Sequence, residues 1–150
     1  MTAFTDSIGF NKGTAAFPAD VNSISKFEVK LDFTEIVAAR LAAGATALAA
    51  ADTLQVINLP AGSVVLTGGI QVTTVDASTA TFDLGTTGGT PALLANDAPI
   101  ATLGYTVANL ANPYLSATAD TLDILINTAA PTTGVINVFA FVANVAANYE

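Results

Sequence analysis

The chain has 150 residues, of which 52% are hydrophobic and 11% are charged, and its net charge is −8. This length suits one domain of ordinary size. Because His and Cys are absent, the chain cannot form a Ser-His-Asp triad, a thiol nucleophile, a disulfide or an ordinary zinc site. Its four Lys and Arg residues cannot neutralise many phosphates, so we expect it to bind neither nucleic acid nor an anionic membrane.

Residues 1–25 predict an extended N-terminal arm, since no period of 2 or 3.6 residues persists through them. Phe4, Phe10 and Phe17 are spaced along this segment, whereas a free tail contains more charge and fewer aromatics. We expect these side chains to anchor the arm, either on its own domain or on a partner protein. The segment has no positively charged start followed by an apolar core, so we expect no secretory signal. The most apolar stretch, residues 36–51, is mostly alanine and too short for a membrane span.

A half-buried strand and a short helix begin the part of the chain that we expect to fold as one domain, residues 26–150. Hydrophobic and charged residues alternate over residues 26–33, which is the period of a strand. A helix is predicted over residues 34–43, with Thr34 as its N-cap and Gly44 just beyond its last turn.

The rest of the domain is predicted to be β-structure, with turn signals about every ten residues. A Gly pair at positions 68 and 69 indicates a bulge or a sharp bend, as where a strand crosses between sheets. The last two strands are typical of a terminal hairpin. About seven to nine such strands predict an all-β sandwich or jelly roll. The predicted strands cover residues 53–59, 63–75, 80–85, 114–117, 121–127 and 135–145, and residues 92–113 are expected to hold irregular structure with short strands.

Alternation along these strands predicts which side chains form the core. Charge is scarce and about a third of the chain is Ala or Thr. Such a surface suits packing against other protein, so we expect self-association. The expected core consists of Leu54, Val56, Ile70, Val72, Phe82, Leu84, Leu122, Ile124, Ile126, Phe139 and Phe141.

Acidic side chains are the main candidates for chemistry. Asp120 and Asp123 are three positions apart, and Asp76, Asp83 and Asp97 lie on or near predicted strands. Paired carboxylates hydrolyse glycosides or bind calcium, but this spacing matches no calcium loop, and Asp near strand ends commonly forms turns. We interpret these residues as turn formers and expect Asp83 to point to solvent.

Other candidate motifs are incomplete. The Gly-rich segment 85–89 is followed neither by Lys nor by a helix pattern, so it fails as a phosphate-binding loop. The Ser and Thr residues have no evident base, and the three tyrosines are too scattered to form a sugar-stacking platform. We therefore expect no enzymatic activity, no catalytic residue, no metal and no cofactor.

Several stretches of the chain resemble small virion structural proteins of tailed bacteriophages. They begin with Leu-Asp-Phe before the short helix and continue with a strand ending in Leu-Pro-Ala-Gly, a valine-rich strand and a Phe-Asp-Leu-Gly strand. Asp-Thr-Leu-Asp and Thr-Gly-Val segments close the series. The resemblance covers about residues 26–145, and its carrying stretches are residues 31–33, 52–74, 80–89, 119–127 and 133–142.

This resemblance implies a jelly-roll-like capsid decoration, or cement, protein. Such a protein is made in the host cytoplasm and lies on the outer surface of the virion. It stabilises the capsid by binding the major capsid protein, often as a dimer or trimer. No binding residue carries over, because the matching motifs are core strands. Phe4, Phe10 and Phe17 are therefore our candidate capsid contacts, and we expect deletion of residues 1–25 to weaken attachment while the domain stays folded.

Two alternatives stay open on the sequence alone. A receptor- or glycan-binding β-sandwich of a head fibre or tail spike would present exposed aromatic residues in a groove or on loops. A glycoside-active jelly roll would place two carboxylates across a concave sheet, about 5–10 Å apart.

Overall fold

Strands separated by loops make up most of the described part of this chain, and one helix interrupts them there. The computed structural model describes residues 3–14, 24–86, 92–107 and 112–144. Within those residues lie β1 (Ala3–Phe4), β2 (Gly13–Thr14), β3 (Ile24–Asp32), α1 (Phe33–Ala42), β4 (Thr53–Leu59), β5 (Ser63–Thr74), β6 (Thr81–Gly85), β7 (Ala95–Pro99), β8 (Gly104–Val107), β9 (Tyr114–Ser116), β10 (Asp120–Asn127) and β11 (Val135–Asn144).

The strands form two sheets that share one hydrophobic core. Sheet A has the order β1-β4-β10-β6-β7, with β2 also pairing with β4. Sheet B has the order β3-β11-β5-β8, with β9 also pairing with β5. Only β1 and β2 run parallel to their neighbour among the described strands. Side chains from both sheets meet in the core, which confirms the predicted all-β sandwich with one short helix.

The longer strands follow the order of a jelly roll. If β1, β2 and β9 are left out, eight strands remain, which can be counted from one to eight in chain order. In this count, sheet B has the order 1-8-3-6 and sheet A has the order 2-7-4-5. The chain therefore crosses between the sheets repeatedly, as two Greek keys require. For this reason the predicted terminal hairpin is wrong. Strand β10 lies in the middle of sheet A, and β11 lies in the middle of sheet B.

Helix α1 begins slightly earlier than predicted, because its N-cap is Asp32 and not Thr34. The Asp32 carboxylate accepts hydrogen bonds from two backbone N–H groups of the first turn, at 3.1 and 3.4 Å, and so satisfies two of the donors that a helix start leaves free. Gly44 has a φ of +64° beyond the last turn, as predicted. The earlier start places Phe33 in the core, where its ring stacks on Phe82 with the centroids 5.4 Å apart.

Strand β5 stays in sheet B along its whole length, so the expected crossing between sheets at Gly68 and Gly69 is wrong. A bulge does lie close by, in the pairing of β5 with β11. The glycines are needed because neighbouring backbone comes very close. A Cβ on Gly68 would lie 2.5 Å from the Phe139 carbonyl oxygen, and a Cβ on Gly69 would lie 2.5 Å from that of Thr106.

The core contains every side chain predicted for it except Phe139 and Phe141, which are only half-buried. Successive side chains of a strand point to opposite faces of the sheet, so a prediction that is displaced by one residue assigns every side chain to the wrong face. Along β11 it is the neighbours of the two Phe residues that point inward. The buried residues of this strand are Ile136, Val138, Ala140 and Val142.

Candidate functional site

Phe4, the first aromatic residue of the arm, belongs to the core of its own chain. Strand β1 pairs with β4 and sets Phe4 opposite Leu54, and only 5% of Phe4 is exposed. The Arg40 guanidinium lies 4.0 Å from the centre of the Phe4 ring, and its Nη1 donates to Asp6 Oδ1 at 2.9 Å. Arg40 Nε donates to the Thr46 carbonyl oxygen at 2.7 Å. The buried cation therefore ties the start of the arm to α1.

Phe10, the second aromatic residue, packs half-buried against the same core. Gly9 has a φ of +89°, and a Cβ there would lie 2.5 Å from the Ile36 Cα, so the arm passes directly over α1. Strand β2 then pairs with β4. Residues 3–14 thus dock on their own domain, which is one of the two alternatives left open by the sequence. Phe17 lies outside the described residues, and contact of the arm with another protein stays a prediction.

A cleft of about 500 Å³ lies between the arm and β3. Its walls include Asn11 from the arm and Glu28, Asp32 and Glu35 from β3 and α1. Glu28 pairs with Lys26 at 2.9 Å, and Asp32 caps the helix, so two of these carboxylates already have protein partners. Over the described ranges, no three acidic side chains are grouped so as to hold a metal ion.

Asp76 joins the loop after β5 to the loop before β11. It is 5% exposed, and its Oδ2 accepts hydrogen bonds from the backbone N–H of Thr133 at 2.7 Å and from the Thr133 hydroxyl at 2.6 Å. Thr132 and Ser78 donate backbone N–H groups to the same carboxylate. Burial alone would raise the pKa of Asp76, but the hydrogen bonds from Thr133 and Ser78 outweigh it and hold the pKa well below its usual range. The charge therefore stabilises the two loops.

The remaining carboxylates are also built into the scaffold. Asp83 Oδ1 accepts a hydrogen bond from the backbone N–H of Asp97 at 2.8 Å, across the β6–β7 pair. Asp83 lies between the buried Phe82 and Leu84 and occupies the outer side of β6, as the alternation predicts, where it is half-buried. Asp120 accepts a hydrogen bond from the Tyr114 hydroxyl at 3.4 Å, and Asp123 is buried between β4 and β6. These contacts connect turns and strands.

Some features considered in the sequence fall partly outside the described residues. Gly85 of the Gly-rich segment 85–89 ends β6, but residues 87–91 are not among those described. The same holds for residues 108–111 and for residues 145–150, which include Tyr149 and the predicted end of the last strand. In the part of the chain with described structure, no helix is both long and hydrophobic enough to cross a bilayer.

The outer face of sheet B carries a hydrophobic surface that the sequence did not predict. Phe139 and Phe141 lie there with their ring centroids 6.5 Å apart, and Tyr105 meets Phe139 edge-on at 6.2 Å. Val107 shares a row with Phe139, with Gly69 between them. The pairing registers bring side chains from five strands onto one side of the sheet. We name this surface the apolar face; its members are Ile24, Val64, Tyr105, Val107, Leu115, Phe139 and Phe141.

Charged residues border the apolar face along β3. Lys26 is paired in register with Phe141, and Glu28 is paired with Phe139, so these polar side chains share the outer side with the two rings. Lys26 Nζ lies 6.0 Å from the centre of the Phe139 ring. The charges of β3 would have revealed the outward direction of both Phe residues, had the pairing of β3 with β11 been known.

Comparison with known proteins gives one informative similarity. No protein-family model matches the chain, and no curated protein matches it. A solved structure, "Cyanophage Pam1 capsid asymmetric unit", contains a chain that is 18% identical and superposes with a TM-score of 0.56. The match covers 92% of this chain and 96% of that one. At this identity the likeness shows a common fold, and it extends over nearly the full length of both chains.

Proposed function

We propose that this chain is a non-enzymatic structural protein of a phage virion, which decorates the outer capsid surface and stabilises it by binding the major capsid protein. The observation that carries the proposal is the fold likeness to a chain of a phage capsid, over 92% of one chain and 96% of the other. The resemblance of the strand motifs to small phage virion proteins supports the same conclusion.

The architecture suits a role that needs shape and surface instead of reactive groups. Two sheets on one core form a rigid scaffold, and buried carboxylates such as Asp76 serve to fix its loops. Attachment repeated over a capsid shell acts multivalently, so each single contact can be weak. The net charge of −8 also disfavours adhesion to nucleic acid.

Within this proposal the arm divides into a part that holds it in place and a part that contacts the capsid. Phe4 is 5% exposed, and drawing it out of the core would cost about 1.5–3 kcal/mol. Phe4 is therefore unavailable to a partner while the arm is docked, which changes its expected role. Phe10, which is half-buried, and Phe17 remain our proposed capsid contacts.

The first experiment asks whether the protein belongs to the capsid surface. Antibodies against the chain are applied to intact particles of the phage that encodes it, and heads from a deletion of its gene are then supplied with purified protein. We expect labelling over the head, and we expect the added protein to raise the resistance of deleted heads to heating. Particles without the protein, or labelling confined to the tail, would contradict the proposal.

The second experiment tests the arm by point variants, because removing residues 1–25 would also remove Phe4 from the core. We expect Phe10→Ala and Phe17→Ala to lower the occupancy of deleted heads at a fixed protein concentration. Leu41→Ala is the matched control, since this exposed side chain lies on α1. Equal occupancy for all three variants would refute the role of the arm.

The alternative of glycan binding has its own test. It would rely on exposed aromatic side chains, and Tyr105 is one, with 69% of its surface exposed. Stacking of a sugar on Tyr105 would appear as glycan-array binding that Tyr105→Ala abolishes. We expect no such binding, and a specific positive result would favour the receptor-binding alternative over capsid decoration.

A further inference from the structure

Large hydrophobic side chains on the apolar face are exposed to solvent. Relative exposures are 69% for Tyr105, 51% for Val107, 54% for Leu115 and 60% for Ile24. Phe139 and Phe141 are half-buried only because they pack against each other and their neighbours on the same side. A contiguous hydrophobic surface on a small protein is a common mark of an interface.

The dimensions of the face match those of a stable protein interface. Sheet B is four strands wide, with β8 and β9 sharing the last position, and the paired length of β5 with β11 includes all ten residues of β11. At ~4.8 Å between strands and ~3.4 Å per residue, the face covers ~650 Å². Each partner in a standard interface contributes ~800 Å², so one flat partner can cover the whole face.

The charges on the face point to the identity of that partner. Among the four basic residues of the chain, Arg40 is buried against Asp6, whereas Lys26 and Lys30 lie on the outer side of β3 with Glu28 between them. Asp32, which caps α1, follows Lys30 on the same side, so the stripe of charges along β3 alternates as positive, negative, positive and negative. A two-fold axis that lies in the plane of the interface and is perpendicular to β3 places β3 antiparallel to β3 of the second copy. Lys26 of each copy then faces Glu28 of the other.

We propose that the apolar face binds a second copy of this chain and forms a two-fold symmetric homodimer. The aromatic and aliphatic side chains supply the buried centre of the interface, and the β3 stripe sets its orientation. Because the stripe alternates in sign, it complements itself, whereas a strongly acidic or strongly basic partner would leave half of these charges facing like charges. This inference does not depend on the capsid role.

Sedimentation velocity of the purified full chain, from about 1 to 100 µM, measures the association directly. We expect a reversible monomer–dimer equilibrium. Tyr105→Lys and Val107→Lys each place a charge in the centre of the face and should raise the dissociation constant at least ~10-fold. Leu41→Lys introduces the same charge at an exposed position of α1 and should leave the constant unchanged. Far-ultraviolet circular dichroism verifies that every variant is folded.

Charge reversal tests the two-fold arrangement. Lys26→Glu and Glu28→Lys each bring like charges together across the axis, and both should weaken the dimer, less so at high salt. The double variant K26E/E28K restores opposite charges and should return the dissociation constant to within about twofold of the original.

Several results would overturn the proposal. A wild-type chain that is monomeric over the whole concentration range refutes it, even if the protein attaches to heads, and that outcome leaves the proposed function intact. An equal effect of Leu41→Lys and Tyr105→Lys refutes the position of the interface. Failure of the double charge variant to recover refutes the two-fold geometry.

Discussion

Replacing Asp76 by Asn should destabilise the protein strongly, although the two side chains have nearly the same size. One carboxylate oxygen accepts hydrogen bonds from Thr132 and Thr133, and the other accepts one from Ser78. An Asn side chain keeps a single acceptor, and its NH₂ group then faces a backbone N–H. Since a hydrogen bond to a charged group contributes about 1.5–3 kcal/mol, we expect Asp76→Asn to lower the free energy of unfolding by about 2–4 kcal/mol.

Thermal unfolding followed by circular dichroism provides the assay. For a chain of this length, a loss of about 3 kcal/mol corresponds to a decrease in Tm of about 6–12 °C. Glu35→Gln serves as the control, since it removes an exposed charge in the first turn of α1 and should change the stability by less than about 1 kcal/mol. A Tm for Asp76→Asn within about 1 °C of the wild type would refute the reasoning.

The effect of Asp76→Asn should also depend on pH. The pKa of Asp76 in the folded protein lies well below 3.8, the value expected when the chain is unfolded. A carboxyl group with a lowered folded pKa stabilises the protein above its unfolded pKa, and this contribution is lost as the pH falls toward the folded pKa. The difference in stability between wild type and variant should therefore be full at pH 7 and shrink below pH 3.8. A difference that stays constant down to the acid limit would show that the charge is not responsible.

Three further substitutions probe the arm and the close backbone contacts. Phe4→Ala should lower the free energy of unfolding in urea by about 3–5 kcal/mol, whereas Tyr105→Ala on the exposed face should change the monomer's stability by less than about 1 kcal/mol. Arg40→Ala should cost about 2 kcal/mol and should speed the hydrogen exchange of backbone amides in the arm. Gly68→Ala should cost more than about 2 kcal/mol, because its Cβ would meet a carbonyl oxygen. Gly44→Ala has open space and should cost only about 1–2 kcal/mol for its left-handed backbone.

For each of these substitutions, a specific result would contradict the expectation. Unchanged stability of Phe4→Ala would mean that the arm does not share the core in solution. Unchanged exchange in Arg40→Ala would show that the cation does not hold the arm. A smaller loss for Gly68→Ala than for Gly44→Ala would mean that β5 and its neighbours readily move apart.

Local features of the fold were predictable because they depend on local chemistry. Strand β4 has the predicted bounds, since Pro and Gly follow directly after its alternating residues. Gly44 ended the helix as expected. Both Asp32 and Thr34 are residue types that favour an N-cap position, and the structure assigns the role to Asp32 because its carboxylate accepts hydrogen bonds from the Thr34 and Glu35 N–H groups.

Long-range features were not predictable from the same information. The partners of β10 and β11 depend on the order of strands in each sheet, and two adjacent hydrophobic strands are equally consistent with a hairpin. Every residue from Val138 to Ala143 is hydrophobic, so alternation gives a period without saying which side faces inward. That ambiguity concealed the apolar face. The docking of Phe4 on β4 likewise depends on a parallel pair between segments about fifty residues apart.

The position of β10 and β11 at the centre of their sheets has a consequence for biosynthesis. Each separates two strands that lie earlier in the chain, β4 from β6 and β3 from β5. A ribosome must therefore synthesise β10 before sheet A can close and β11 before sheet B can close. Until then the backbone groups at the edges of the flanking strands remain unpaired, which favours association with other nascent chains. Folding is thus expected to be comparatively slow, and a translation product interrupted before β10 would be prone to aggregate.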